Sequence, residues 1–188
     1  MGLGAGTLAA YGLPGDAVRF YEIDPAVKEM AETRFTYLRD SKAVISIALG
    51  DARLSMEREP AQEFDLLVLD AFIGDAVPVH LLTLEAFEIY LGHLRPDGVI
   101  LVHVTNRHFE LAPVLLKVAE RFQLHAALIS NSADLARTIY ESGWVLLSRN
   151  VEFLNSPAIA AASLPYYRYK VSIRLWSDDY ASLFQVLK

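Results

Sequence analysis

A glycine-rich stretch at the start of the chain has the spacing of a loop that binds small molecules. Gly2, Gly4 and Gly6 form a GxGxG pattern, and Thr7 follows them at the predicted start of a short helix. Glycine lets the backbone approach a ligand that any Cβ atom would push away. A helix N-terminus also offers unbonded N–H groups and a partial positive charge, which suit a carboxylate or a phosphate. The dinucleotide-binding pattern has glycine where Thr7 stands, so the loop disfavours NAD.

Acidic residues stand at the ends of three predicted strands that follow this loop. Glu22 comes about 20 residues after Gly2, the offset at which a carboxylate accepts both ribose hydroxyls of a nucleoside. Asp51 ends the next strand, where it either accepts from an adenine amine or caps the helix that follows. Asp70 ends the third strand, and Asp75 lies in the loop beyond. Because open α/β sheets bind ligands at the carboxyl ends of their strands, the acids together predict a nucleoside site.

The elements that position these residues alternate between apolar strands and amphipathic helices. This alternation predicts an α/β domain in which a mostly parallel sheet carries helices on both faces. The stretch 64–69 is apolar enough to be central in the sheet. The predicted order is a strand over 18–21, a helix capped by Asp24 whose buried stripe includes Met30 and Phe35, a strand over 44–49, a helix over about 52–58, a strand over 64–69, a helix capped by Thr83, a strand over 99–104, a helix over 111–122, and two strands near 125–129 and 144–147 that form an antiparallel edge.

Turn and cap residues predict the remaining segments. Residues 95–98, Arg-Pro-Asp-Gly, predict a turn, because proline presets φ and glycine accepts a positive φ. Residues 150–170 show no clear periodicity and are expected to form a loop. Asp178 and Asp179 are expected to start a final helix, where their charge meets the helix dipole.

One strand is missing from this pattern. A glycine-rich nucleoside loop belongs after a strand and before a helix, and in this fold that strand is the central one. Here Gly2 follows only Met1. We therefore expect the first strand to be absent from the chain, with three explanations: the start is trimmed, another segment or subunit fills the gap, or the sheet rearranges. Assembly into a homodimer would suit a domain with an incomplete sheet.

The composition narrows the class of protein. The chain has 188 residues, of which 53% are hydrophobic and 21% charged, and this suits one globular domain over residues 1–188. A formal net charge of −6 disfavours a nucleic-acid partner. The chain has no cysteine and no apolar run of the roughly 18 residues that span a membrane, so we expect a cytoplasmic protein without a span of its own. The histidines lack HxxxH and HExxH spacing, which predicts no metal site, although His103 can edge the ligand site.

The order of these motifs resembles the polyamine aminopropyltransferases, the spermidine synthase family. The motifs are GLGAGT, YEIDP, LGDARL, FDLLVLDAF with PVHLLTLEAF, and LRPDGVILV, and they lie within residues 2–104. The tail, with WSDDY, is similar to the C-terminal parts of spermidine synthase-like domains that are fused to membrane segments. The resemblance implies a Rossmann-like class I methyltransferase fold.

For the donor, the resemblance implies a role for each residue of the loop and the strand ends. The glycine loop would hold the amino-acid end of S-adenosylmethionine or of its decarboxylated form. Glu22 would bind the ribose, and Ile23 would lie against the adenine. Asp51 would accept from the adenine amine, and the backbone N–H of Ala52 would serve a ring nitrogen. Asp70 would complete the ligand site, and no metal is implied.

For the acceptor, the resemblance assigns Asp70 to orient or deprotonate the attacking amine. An amine must be neutral to displace a sulfonium, so a carboxylate that accepts its proton is what the reaction needs. The family has a second aspartate after this strand, which aligns with Ile73 of this chain. Asp75, two residues later, is the second catalytic candidate. The family's loop also carries an aspartate where Ala5 stands, and the family's small N-terminal β domain is absent. These departures concern the part of the site that would bind the polyamine and not the part that would bind the nucleoside.

The sequence therefore predicts a spermidine synthase-like transferase domain that binds a nucleoside donor and transfers an alkyl group to an amine, with a polyamine as one candidate acceptor. Two alternatives stay open. Ala5 and the missing β domain favour a small-molecule S-adenosylmethionine methyltransferase. The missing first strand favours a non-catalytic nucleoside-binding or regulatory module of a larger protein.

Overall fold

A computed structural model of the chain describes residues 1–71, 76–164 and 173–188. Its contacts divide the chain into two units, Met1–Pro60 and Ala61–Lys188. Strands and helices alternate through both units, which confirms the predicted α/β class. The interpretation of residues 1–188 as one domain stays a prediction.

The first unit is a pair of parallel strands with short helices. Strands β1 and β2 pair in register from Ala17↔Val44 to Glu22↔Leu49. The core is formed by buried Leu3, Ala9, Phe20 and Ala31. The elements are a 3₁₀ helix over Thr7–Tyr11, β1 over Ala17–Glu22, α1 over Pro25–Arg34, α2 over Tyr37–Asp40, β2 over Val44–Leu49 and α3 over Ala52–Arg58.

Helix α1 begins where the cap residues predict it. The Asp24 side chain accepts from the Ala26 backbone N–H at 2.8 Å, and Pro25 occupies the first helical position. The predicted buried stripe is only partly right, because Met30 is 53% exposed and Phe35 is 40% exposed. The backbone leaves helical geometry at Phe35, although Leu38 beyond it still packs against the core that contains Ala31.

The second unit contains a mixed five-stranded sheet in the order β3-β4-β6-β5-β7. Strands β3 and β4 are parallel, and the other neighbours are antiparallel. The predicted antiparallel pairing of the two strands after the long amphipathic helix is confirmed. The elements are β3 over Phe64–Leu69, α4 over Leu84–Gly92, β4 over Leu94–His103, α5 over Ala112–Phe122, β5 over His125–Asn131, β6 over Ser142–Ser148, α6 over Val151–Leu154, α7 over Pro157–Ala162 and β7 over Ser163–Leu164, with 3₁₀ helices over Val79–Leu81, Leu135–Arg137 and Leu183–Val186.

The structure corrects two predictions about β3 and β4. Strand β3 lies at the edge of its sheet and not at the centre, and Leu66 is 53% exposed. Strand β4 begins at Leu94, so the turn predicted over 95–98 is part of an irregular strand: its register passes from Phe64↔Leu94 to Leu66↔Val99. Gly98 is needed for space and not for a positive φ, because a Cβ atom there would lie 2.9 Å from the Phe64 carbonyl oxygen.

The loop predicted over 150–170 is also wrong for its described part. Residues 151–164 form α6, α7 and the short strand β7, whereas residues 165–170 lie outside the described residues. Asn150 caps α6 by accepting from the Phe153 N–H at 2.9 Å, and Leu154 packs in a cluster with Val99 and Leu146. Each helix is too short to show periodicity, so tertiary packing stabilises it.

The WSDDY tail does not start a helix. Residues 177–180 form a turn, and the last regular element is the 3₁₀ helix over Leu183–Val186. The tail instead docks on the start of α4: the Thr83 hydroxyl donates to Asp178 at 2.8 Å, and the Leu84 N–H donates to the Trp176 carbonyl at 2.8 Å. Trp176 is fully buried. The motif therefore anchors the C-terminal segment.

Two further expectations concern the neighbours of β1 and membrane-spanning helices. Within the described residues, β1 pairs only with β2, and only Met1 precedes the glycine loop. No helix in that same part of the chain is long and apolar enough to cross a membrane.

Candidate functional site

The glycine loop adopts a conformation that side chains rarely tolerate. Gly2, Gly4 and Gly6 have φ values of 83°, 53° and 82°. A Cβ atom on Gly6 would lie 2.9 Å from the Leu38 side chain, whereas one on Gly4 would meet nothing within 4 Å. Gly4 therefore leaves open space beside the backbone, and the positive φ explains why glycine is required there. The helix that follows is a five-residue 3₁₀ helix, so its dipole is small.

The carboxylate of Glu22 connects the end of β1 to this loop. Its Oε2 accepts from the Leu3 N–H at 2.9 Å, and its Oε1 accepts from the Asp24 N–H at 2.9 Å. The residue is 8% exposed. A carboxylate has about four acceptor positions, so these two bonds leave capacity for further donors. Glu22 thus holds the loop in place, and its contact with a ribose stays a prediction.

The end of β2 lies beside the same carboxyl end of β1. The Gly50 N–H donates to the Glu22 carbonyl at 2.8 Å, which places Asp51 at the neighbouring strand end. Asp51 caps α3 by accepting from the Leu54 N–H at 2.9 Å. This cap is one of the two roles that the sequence left open for Asp51; the adenine contact stays a prediction.

The first unit therefore assembles the predicted donor residues at one edge. The Glu22 side chain bonds to the glycine loop, and the Glu22 backbone carbonyl bonds to Gly50. Next to them, Ile23 exposes 61% of its surface and Ala52 is 7% exposed. Small-molecule sites commonly combine apolar side chains with a few placed polar groups, so this edge stays the predicted donor site.

Three connected side chains, Arg19, Tyr21 and Glu59, support this edge, and the sequence did not predict their contacts. The Tyr21 hydroxyl donates to Glu59 at 2.9 Å, and Arg19 pairs with the same carboxylate while its Nε donates to the Tyr21 oxygen at 3.2 Å. Burial raises the pKa of Tyr21 to about 12, and the hydrogen bond to Glu59 adds to the effect. The alternation of Arg19 and Tyr21 on one strand face was a visible signal, but their partner Glu59, directly after α3, was not.

The second unit brings together a different set of side chains. Asp70 follows β3, and its Oδ1 lies 2.8 Å from Nδ1 of His103 at the end of β4. The His103 ring stacks on Trp144 of β6, with ring centroids 4.6 Å apart and planes 26° apart. His103 was expected only to edge a site, and the structure pairs it directly with Asp70. Asp75 and Ile73 lie outside the described residues.

Two cavities of the second unit differ in their distance from this pair. One of about 650 Å³ lies between α5, β5 and α6 and reaches His125. His125 pairs with Ser148, which pairs with Val99, so this cavity lies beside the middle of β4 and not at its His103 end. A smaller one of about 140 Å³ is lined by Trp144. Across residues 1–71, 76–164 and 173–188, no group of His, Cys, Asp or Glu side chains could hold a metal ion.

Sequence comparison connects these features to known proteins. No protein-family model matches the chain. It is 37% identical over 108 residues to a polyamine aminopropyltransferase of Vibrio vulnificus, a match that covers 55% of this chain and 36% of that protein. Over those 108 residues the chain is similar to a polyamine aminopropyltransferase. This confirms the resemblance drawn from the motifs, although the chain spans only about a third of that relative's length.

A second relative has a different reaction. The chain is 32% identical over 107 residues to an N-terminal histidine N-methyltransferase of Emericella nidulans, which covers 55% of this chain and 19% of that protein. Both relatives are transferases, one of an aminopropyl group and the other of a methyl group.

Solved structures confirm the fold. A spermidine synthase from Thermotoga maritima has a TM-score of 0.55 and 14% identity and covers 87% of this chain and 55% of that chain. The O-methyltransferase TomG from Streptomyces achromogenes, in complex with S-adenosylmethionine, has a TM-score of 0.52 and 18% identity over 78% of this chain and 70% of that chain. The chain thus has the class I methyltransferase fold.

Proposed function

We propose that the chain binds an adenosyl-sulfonium donor and transfers an alkyl group from it to an amine. One observation carries the proposal: the Glu22 carboxylate bonds to the glycine loop at the carboxyl end of β1, and Asp51 follows the neighbouring strand. Ligands of open α/β sheets bind at such an edge. The similarity to an aminopropyltransferase supports the same donor class.

The donor would use the residues of the first unit. Glu22 would accept from the ribose hydroxyls with the lone pairs that the Leu3 and Asp24 N–H groups leave unused. Ile23 would pack against the adenine, since its side chain is exposed at this edge. Asp51 would accept from the adenine amine beside the N–H of Ala52, and the open space at Gly4 would admit the rest of the donor.

The reaction is a nucleophilic displacement at the carbon bound to the sulfonium. The neutral amine nitrogen attacks this carbon, the new C–N bond forms as the C–S bond breaks, and the thioether leaves with the bonding electron pair. The attacking nitrogen is neutral only after its own ammonium form has lost a proton, and the product leaves as an ammonium. We propose Asp70 as the proton acceptor: its Oδ1 is bonded to His103, and its Oδ2 has no partner within the described residues. Alignment of the two reactants would supply most of the rate.

Two donors are candidates. Decarboxylated S-adenosylmethionine would make the reaction an aminopropyl transfer, which the aminopropyltransferase relative favours. S-adenosylmethionine itself would make it a methyl transfer, which the N-methyltransferase relative favours. Ala5 also favours methyl transfer, because its side chain offers no carboxylate to the ammonium of an aminopropyl group.

Calorimetry and product analysis test the proposal. S-adenosylmethionine, its decarboxylated form and methylthioadenosine are each titrated into the chain, and we expect at least one to bind below the millimolar range. Mass spectrometry of reactions with diamines and small amines then identifies an aminopropyl or a methyl adduct. Binding without any product would indicate the non-catalytic module. The absence of binding by all three nucleosides would overturn the proposed function.

A further inference from the structure

We infer that His103 is a positioning residue for Asp70, and this inference rests on the proposed function of Asp70 as the proton acceptor. The side chain of Asp70 is 45% exposed. Its hydrogen bond to His103 Nδ1, at 2.8 Å, is what fixes the carboxylate at the end of β3. Without this bond, an aspartate with so much exposed surface would sample several rotamers.

The sheet register creates the contact. Leu69 of β3 lies opposite Val102 of β4 in the parallel pair, so the next residues, Asp70 and His103, emerge side by side. This placement depends on the irregularity near the start of β4, which shifts the register by several residues. A different register would remove His103 from the reach of Asp70.

Trp144 fixes the plane of the imidazole. His103 and Trp144 lie directly opposite each other in the antiparallel β4–β6 pair, and their rings stack with centroids 4.6 Å apart. The chain beside Trp144 is itself held, because the Gly143 N–H donates to the Thr105 hydroxyl at 2.6 Å. Only 23% of the His103 side chain is exposed. A ring held in this way directs Nδ1 toward the carboxylate.

In this arrangement the two carboxylate oxygens of Asp70 have different roles. His103 donates its Nδ1 proton to Oδ1 of Asp70, which orients the carboxylate and leaves Oδ2 to take the proton of the attacking amine. The proton moves from the ammonium form of the acceptor to Oδ2 before the C–N bond forms, and His103 neither gains nor loses one. Through Asp70, His103 acts on the rate of the reaction and not on the binding of the donor.

Two variants of His103 separate this role from simple packing. His103→Asn keeps an N–H donor near the position of Nδ1 but loses the ring, whereas His103→Phe keeps the ring on Trp144 but loses the donor. We expect His103→Phe to lower kcat by about a hundredfold, the effect of a misplaced reacting group. The donor Kd should stay within about twofold, and His103→Asn should recover most of kcat. A packing role predicts the reverse order of the two variants.

A double-mutant cycle adds a second readout. Because His103 acts through Asp70, the variant Asp70→Ala/His103→Phe should be no slower than Asp70→Ala alone. Additive losses, or a His103→Phe variant with the kcat of the wild type, would overturn the inference.

A spectroscopic measurement keeps the inference independent of turnover. Long-range ¹⁵N–¹H NMR of the full chain should show the His103 tautomer protonated at Nδ1, and Asp70→Ala should change that resonance. If the wild-type chain binds no donor or makes no product, the proposed function fails while this result still stands. A His103 ring protonated only at Nε2, or one that is insensitive to Asp70→Ala, contradicts the positioning role itself.

Discussion

The Glu22 carboxylate accepts a hydrogen bond from the backbone N–H of Leu3, so the end of β1 and the glycine loop form one structural unit. A second oxygen of the same carboxylate holds the first residue before α1, Asp24. The residue that the motif assigns to the ribose is therefore also the residue that shapes the loop.

Substitution of Glu22 should weaken donor binding and destabilise the fold together. Glu22→Ala removes a charged acceptor from the ribose and leaves two backbone N–H groups without a partner. We expect losses of about 1–3 kcal/mol in nucleoside binding and of similar size in unfolding free energy. Calorimetry below the melting temperature of the variant measures the loss in nucleoside binding. Glu29→Ala, which removes an exposed carboxylate from α1, is the control and should change neither value.

Substitution of Gly4 should separate backbone strain from ligand contact. A Cβ atom on Gly4 meets no protein atom within 4 Å, so Gly4→Ala costs only the strain of its φ of 53°, about 1–2 kcal/mol. Gly15→Ala is the matched control, because Gly15 also has a positive φ and open space around it. Both variants should melt at a lower temperature, but only Gly4→Ala should weaken donor binding. Equal donor Kd values in the two variants would place the donor elsewhere.

Tyr21 should make the stability of the chain fall at high pH. Burial, together with the hydrogen bond to Glu59, raises the pKa of Tyr21 from its ordinary value near 10 to about 12. The folded chain therefore holds this proton more tightly than the unfolded chain. The resulting stability is complete below about pH 10 and is lost as the pH rises toward 12. Thermal melts over that range should fall less steeply for Tyr21→Phe than for the wild type. Tyr11→Phe, at a residue that is 80% exposed, should follow the wild type.

Asp70 should matter more for turnover than for donor binding. Asp70→Asn keeps the size of the side chain but cannot accept a proton, so kcat should fall by about a hundredfold or more while the donor Kd changes little. Asp65→Asn is the control, since Asp65 lies on the same strand with its side chain 81% exposed. Equal losses in kcat and donor affinity would assign Asp70 a binding role only.

Local sequence signals predicted many of the elements. The Asp24–Pro25 pair marked the start of α1, and the apolar runs over 44–49 and 64–69 became β2 and β3. Such signals are carried by residues within a few positions of one another, so the chain reveals them without its tertiary structure. The acids at the strand ends were visible for the same reason, because strand length and the following cap are both local.

The tertiary structure decided the contacts between distant residues. The start of β4 at Leu94, the edge position of β3 and the pairing of Asp70 with His103 all depend on strand register, which packing sets and no local motif encodes. The same is true of α6 and α7, which are too short to form without the sheet beneath them. By itself the sequence determined which residues can accept a proton or a hydrogen bond. Only the folded chain decided which of them meet, because hydrogen bonds between residues far apart in sequence form only after the strands have paired.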